Sequence, residues 1–373
     1  MTQKTYARAR LWTGITSVGT VVLLATLLLL FQVPQRLLPD VPTSSFDEAV
    51  WILVVFALGA AVALPFDVLG GLVLPRRHAR PAPDGAMFFR SWLRGVSVLT
   101  LLSVASATLL LAAGRLGGRP AALLVFLGFA MLLLLGQESL ARWVGGLRRV
   151  RGVESKDIIL LEGRDPAFSG GFTGPSGRLV LPALWAQTMD AASLALIIER
   201  RRGIRRSGAW RRSLLLALGA NATGFLLATW IPGAGVTSVA ELVTTALGFT
   251  LWTFLGLLLF PLPSRRATFS ADAFVTDDEE RRERWGQLVR FLDQLQDDEP
   301  ERSAGVESVF HPVPSVARRL RALERTDGTG GRGAWHLART ALFLSYAGLS
   351  LLPRAVHCNA GRPELWVYLP ADG

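Results

Sequence analysis

The sequence predicts an α-helical integral membrane protein with about six transmembrane helices and a small α+β domain on the cytoplasmic side. Three observations point there. Half of the 373 residues are hydrophobic and the mean hydropathy is +0.37, more apolar surface than one soluble core needs. Uncharged runs of roughly 18 residues, the length that crosses a bilayer as a helix, recur along the chain. Arginines gather in alternate connections, as they do where basic loops stay in the cytoplasm.

Residues 11–31 and 95–114 are uncharged runs long enough to span a bilayer outright, and 49–64, 120–136, 213–230 and 244–261 are slightly shorter or flanked by an acid. The first span is too long for a signal peptide and has no small-residue cleavage site after it, so it reads as a retained anchor. The short link 115–119 joins the third and fourth spans. Residues 231–235, Ile-Pro-Gly-Ala-Gly, are rich in helix breakers and make the last two spans antiparallel neighbours. Lys4, Arg8 and Arg10 precede the first span, Arg76, Arg77, Arg80, Arg90 and Arg94 lie between the second and third, and 142–212 and Arg265-Arg266 are basic. The opposite loops hold only Arg36, Arg115 and Arg119, so both termini are expected in the cytoplasm.

The net charge of +11 follows from this bias and implies contact with anionic lipid. No basic patch interleaved with aromatics on a soluble module points to nucleic acid. Arginine dominates the basic residues, a coding bias of GC-rich bacteria, so the expected location is a bacterial cytoplasmic (inner) membrane. One cysteine, Cys358, excludes an intramolecular disulfide framework.

Outside the membrane, Asp157 to Gly163 reads as a short buried strand, and residues 169–182 as a glycine-rich turn running into a second strand. A helix starts after the N-cap Asp190. Trp285, Leu288, Val289, Leu292 and Leu295 recur at helical spacing and make 284–296 amphipathic. Residues 327–333 read as a linker and 364–369 as a closing strand. The domains expected are 1–140, a membrane region with four spans; 141–325, an α+β domain interrupted by a two-helix membrane hairpin at 213–262; and 326–373, a linker with a C-terminal helix and strand. Asp67 and Glu241 read as interfacial helix ends, and Asn221 as an interhelical hydrogen-bonding residue.

These pieces resemble the HtpX and CAAX prenyl protease-like membrane zinc metallopeptidases over roughly residues 150–325. Ala167-Phe168 with Gly170, Gly171, Phe172 and Gly174 matches their substrate-side strand and turn. The helix bearing Glu199, the hairpin of spans five and six, "SRRATFSADAF" at 264–274 and His311-Pro312 in "VFHPVPSVARRL" at 309–320 follow in the same order. The resemblance implies a metallopeptidase-like domain, with Glu199 as a vestigial general base and Asp272 as the aspartate behind the metal ligands. It places those ligands at Ile198, Arg202 and Thr268, none of which carries zinc-binding chemistry there. No cofactor is expected, since His78, His311, His336 and His357 do not lie at i, i+4 spacing. Arg202 is expected to fill the metal's place beside Glu199 and Asp272, with Arg200, Arg201, Arg205 and Arg206 as a solvated or headgroup-facing surface. His311-Pro312 reads as a turn fixing the following helix.

The expectation is therefore a pseudo-peptidase, not an enzyme: a scaffold, adaptor or regulator of another membrane protein, binding the lipid bilayer and a protein or peptide partner. Gly170, Gly171 and Gly174 could present an edge to an extended peptide. A working zinc metalloendopeptidase with non-standard ligands is the alternative. A transporter would need polar groups at the bilayer midplane that the apolar runs mostly lack.

Overall fold

The computed structural model describes residues 5–150, 157–163, 168, 171–174, 176–324 and 333–367. Its first half holds α1 (Tyr6–Leu30), α2 (Ser45–Val68) and α3 (Gly85–Leu135), then strands β1 (Arg148–Arg149), β2 (Ile158–Glu162), β3 (Phe172–Thr173) and β4 (Leu179–Pro182). The second half holds α4 (Ala191–Arg206), α5 (Ala209–Ala228), α6 (Val239–Leu259), α7 (Pro261–Ala273), α8 (Glu279–Gln296), α9 (Ala304–Phe310), α10 (Val316–Glu324) and α11 (Leu337–Leu344).

Among the described residues, four helices are long and apolar enough to cross a membrane: α1, α2 with its continuation to Arg77, α3 and α6. The runs at 95–114 and 120–136 lie in α3 on either side of a break in the helical backbone at Gly117 and Gly118, within the expected link 115–119. Gly118 takes a positive φ of 63° there, a conformation that glycine adopts without a Cβ penalty. The run at 213–230 lies in α5, which opens on Trp210, Arg211 and Arg212 and is not among the four.

Helix starts follow their caps. Ser44, Asp84, Asp190 and Ser238 each accept a hydrogen bond from the backbone three residues on, relieving one of the donors a helix leaves open. At α6 the box is reciprocal: Ser238 Oγ takes the Glu241 amide, and Glu241 Oε2 takes the Thr237 amide at 2.9 Å. Between helices the membrane core is aromatic. Phe126 of α3 stacks on Phe225 of α5 with centroids 4.9 Å apart, and Phe249 of α6 meets both rings edge-on.

The strands form one sheet in the order β1-β2-β4-β3. β2 runs parallel to β4, with Ile158 opposite Leu179 and Leu160 opposite Leu181, while β1 and β3 flank them antiparallel. Leu160 and Leu181 from the sheet, Leu196 and Ile197 from α4, Trp285, Leu288 and Leu292 from α8 and Val316 from α10 make a core separate from the membrane one. The amphipathic face of α8 is thereby accounted for.

The C-terminal segment departs most from expectation. Residues 364–367 are a 3-10 turn and its continuation, and no strand forms there. Residues 333–367 run back into the helices, and Leu337, Leu344, Leu365 and Trp366 join the membrane core. Polar residues of earlier elements find partners in this segment. Asn221 Nδ2 donates to the Ala341 carbonyl at 3.0 Å, and Gln137 Nε2 to that of Val367 at 2.8 Å. Asp67, which is buried, accepts from Arg354 and from the Gly361 amide at 2.7 Å each, and from Trp92 at 2.8 Å. Five residues of π-helix at Leu69–Val73 bring Gly70 and Gly71 against the Ala360 and Gly361 carbonyls, where a Cβ would collide.

Candidate functional site

Helix α4 carries the residues that the sequence resemblance singles out, and its burial decides what each one faces. Leu196, Ile197, Arg200, Arg201 and Ile204 turn inward, so the inner stripe runs i, i+1, i+4, i+5, i+8. Ile198 packs at the margin of the aliphatic core beneath the sheet. Arg202 points outward, 49% exposed, and lies 3.8 Å from the exposed Asp157. Glu199 is partly exposed and pairs with Arg281 of α8 at 2.5 Å. Thr268 of α7 is buried and donates to the Ser264 carbonyl one turn back at 3.3 Å.

Asp272 of α7 sits 1% exposed at the junction of α4, α7 and α10. Arg200 Nε donates to its Oδ1 at 2.8 Å, while Arg319 of α10 donates from Nε to Oδ2 at 2.7 Å and from Nη2 to Oδ1 at 2.9 Å. The Arg200 guanidinium lies between the rings of Trp335 and Trp285, at 4.7 and 5.1 Å from their centroids, and Arg319 also faces Trp285. Planar, weakly hydrated guanidinium groups stack on indole faces in this way. The cation beside Asp272 is therefore supplied by Arg200 and Arg319. Arg202 was expected there and stands on the opposite face of the helix, because Gly203 and Ile204, not Arg202, continue the inner stripe. Arg200 and Arg201, expected on a solvated surface, are 0% and 3% exposed. Sequence reading missed Arg319 altogether; the signal was a single acid, Asp272, in a basic surround whose tryptophans could cover guanidinium groups.

Arginines of α4 also reach the sheet. Arg201 Nη1 donates to the Val180 carbonyl of β4 at 3.0 Å, and Arg205 Nη1 to the Gly174 carbonyl at 3.2 Å. Gly171 lies so close to the Val180 carbonyl and to Arg201 that any Cβ would clash. Phe172 is buried, and Gly174 closes the β3–β4 turn by donating to Arg178. Ala167 and Gly170 lie outside the described residues. Among the described residues β3 has only β4 beside it, and α4 holds the adjoining turn in place through Arg205.

A zinc ion does not fit these side chains. The three positions implied as ligands hold an aliphatic group, a surface guanidinium and a hydroxyl committed to its own helix. Among the described residues no three His, Cys, Asp or Glu side chains come together as a metal set. Glu199 and Asp272 already neutralise arginines.

A second polar cluster lies between α1, α8, the segment after α9 and the C-terminal segment. Asp297 Oδ1 meets Arg10 at 3.2 Å and its Oδ2 meets Arg302 at 3.1 Å. The rings of His311 and His357 stand 5.3 Å apart. Burial pushes the Asp297 carboxyl up, but Arg10, Arg302 and the two histidines outweigh it and hold the group below the usual carboxylate range. Burial keeps His311 neutral and brings His357 down to about 4, and it lifts Asp293 to about 6.

No protein-family model and no curated protein matches this sequence. Its structure is similar to that of S. mikatae Ste24p, with a TM-score of 0.62 and 11% sequence identity over 76% of each chain. This match overturns the expectation that the chain is not an enzyme. The missing ligand triad bears on zinc at one place, not on whether the chain has an activity. At this identity the likeness is one of fold: a mostly helical membrane protein built like Ste24p.

Proposed function

We propose that the chain is a membrane member of the metallopeptidase group that Ste24p represents, and that it binds an extended segment of another membrane protein, serving as its scaffold, adaptor or regulator. The observation that carries this is the β3 edge, which among the described residues has only β4 beside it, with β4 and the adjoining turn held to α4 by Arg201 and Arg205. An extended peptide adds to such an edge through main-chain hydrogen bonds, and this needs neither metal nor nucleophile. The arginine-rich segments support a bacterial inner membrane with both termini in the cytoplasm. A photo-crosslinker at Thr173, introduced into the full chain in its membrane, is expected to capture a membrane-protein segment, and a crosslinker at the exposed Arg202 is not. Equal capture at both positions would remove the edge-binding reading.

The fold match favours a second reading, a membrane zinc metalloendopeptidase with non-standard ligands. It requires stoichiometric zinc in purified protein and peptide cleavage that a chelator abolishes. One elemental measurement together with one cleavage assay separates the two readings.

A further inference from the structure

Away from the β3 edge, an apolar groove of about 290 Å³ runs between the membrane helices α1, α2, α3 and α6, with the C-terminal segment forming its back wall. Leu37 and Leu58 line its opposite side and are 69% and 63% exposed, so the groove opens sideways into the bilayer. Tyr346 and Arg354 line the back wall. The Tyr346 hydroxyl and Arg354 Nε are buried, and neither has a hydrogen-bond partner among the described residues. Donors buried without an acceptor are costly and rare in folded proteins.

We propose that this groove holds one acyl chain of a membrane glycerolipid, whose ester carbonyl accepts from Tyr346 and Arg354. Depth is the first argument. Arg354 Nη2 donates to Asp67 at 2.7 Å, and Asp67 also accepts from Trp92. Trp92 stands between Arg90 and Arg94, immediately before the uncharged run of α3, which puts this end of the groove at the boundary between headgroups and hydrocarbon. From there the wall follows α2 through Ala63, Gly59 and Val55, spaced four residues apart on one face with Asp67. Asp67 to Val55 spans about 18 Å at 1.5 Å per residue, close to one leaflet of a ~30 Å hydrocarbon core.

Charge and valence are the second. The Arg354 cation is already met by the Asp67 carboxylate, so the site calls for a neutral acceptor and gives an anionic headgroup no advantage. A carbonyl oxygen has two lone pairs, matching one O–H and one N–H donor. Ester carbonyls of glycerolipids lie at the depth just described, with an acyl chain leading inward from each. The open side at Leu37 and Leu58 leaves the second chain in the bilayer.

The test uses the full chain in uncharged detergent, with its thermal midpoint followed as dioleoylphosphatidylcholine, its dialkyl ether analogue, which has no carbonyl, or dioleoylphosphatidylglycerol is added. The two ester lipids are expected to raise the midpoint alike, reaching half of their effect at about tenfold lower concentration than the ether, the order set by buried donors left unpaired. Tyr346→Phe removes a hydroxyl that has no protein partner, so it is expected to keep the lipid-free midpoint and to shrink the ester advantage about threefold. Gly59→Trp puts a ring into the groove, where an added Cβ meets only Leu351 at 3.7 Å, and is expected to abolish that advantage. Equal potency of ester and ether would make this a plain apolar groove, and tighter binding of phosphatidylglycerol an anion site. Either outcome, or an ester advantage that neither variant reduces, overturns the proposal.

Discussion

Asp272 is a carboxylate shared by two buried guanidinium groups, and its removal would take that counter-charge from both. Breaking a buried ion network by deleting one partner costs about 3–5 kcal/mol. Asp272→Ala should therefore lower stability by that order in chemical denaturation of the detergent-solubilised protein. Arg202→Ala should leave the unfolding midpoint unchanged, since Arg202 and Asp157 meet at 3.8 Å in the open. The reverse ranking would put Arg202, not Arg200, at the centre of the site. The histidines make a pH prediction. His357 titrates at about 4 in the fold against an ordinary 6.5, so burial, aided by Arg10, Arg339 and Arg302 against Asp297, favours its neutral form. That stability, on the order of 3 kcal/mol, is present above pH 6.5 and is lost as pH falls toward 4. Asp293 acts oppositely: raised from 3.8 to about 6, it stabilises below pH 3.8 and loses that contribution as pH rises through 6. His311 shifts in the sense of His357, so the midpoint should fall between pH 7 and pH 4, whereas Asp297, held below its ordinary value, adds its loss only below about pH 3.8. His357→Gln should flatten that fall, and an unaltered slope would assign the dependence elsewhere.

Among elements, those with a strong local pattern were legible before any coordinates. The N-cap Asp190, the buried β2 and β4 and the amphipathic face of α8 follow from hydrogen bonding and periodicity within a dozen residues. What periodicity could not assign was the inner face of α4, where Ile197, Ile198, Arg200, Arg201 and Arg202 crowd together. Composition sends arginine to the surface, and only the distant Asp272, Trp285 and Trp335 reverse that for Arg200. The positions of Glu199 and Asp272 were legible from their motif order, whereas their partners, Arg281 and Arg319, were not. Helices α5 and α6 show how a small residue governs packing. Gly224 lies against the Trp252 ring with no space for a Cβ, while Trp252 Nε1 donates to the Ala220 carbonyl at 2.9 Å. Gly224→Leu should force the pair apart and cost about 1–3 kcal/mol, seen as a lower unfolding midpoint and a red-shifted tryptophan emission. A variant with wild-type emission would show that the ring has room to move.

For the whole molecule, the membrane character was legible and the closing of the helices by the C-terminal segment was not. Residues 333–367 read as a tail because their apolar stretches are short, yet Leu344, Leu352 and Trp366 are fully buried. Their partners lie hundreds of residues upstream, beyond any local pattern. A chain ending at Gly333 should consequently fail to yield monodisperse protein in size-exclusion chromatography, whereas one ending at Val367 should behave like the full chain. Normal behaviour of the shorter chain would make the segment an accessory. The same segment sets the order in which this molecule can mature. Asp67, Gln137 and Asn221 leave the ribosome long before Arg354, Gly361, Val367 and Ala341, so the early helices enter the bilayer with their acid and amides short of these partners. Assembly therefore waits on the synthesis of residues 333–367, and a nascent chain stalled before them is a natural target for membrane quality control.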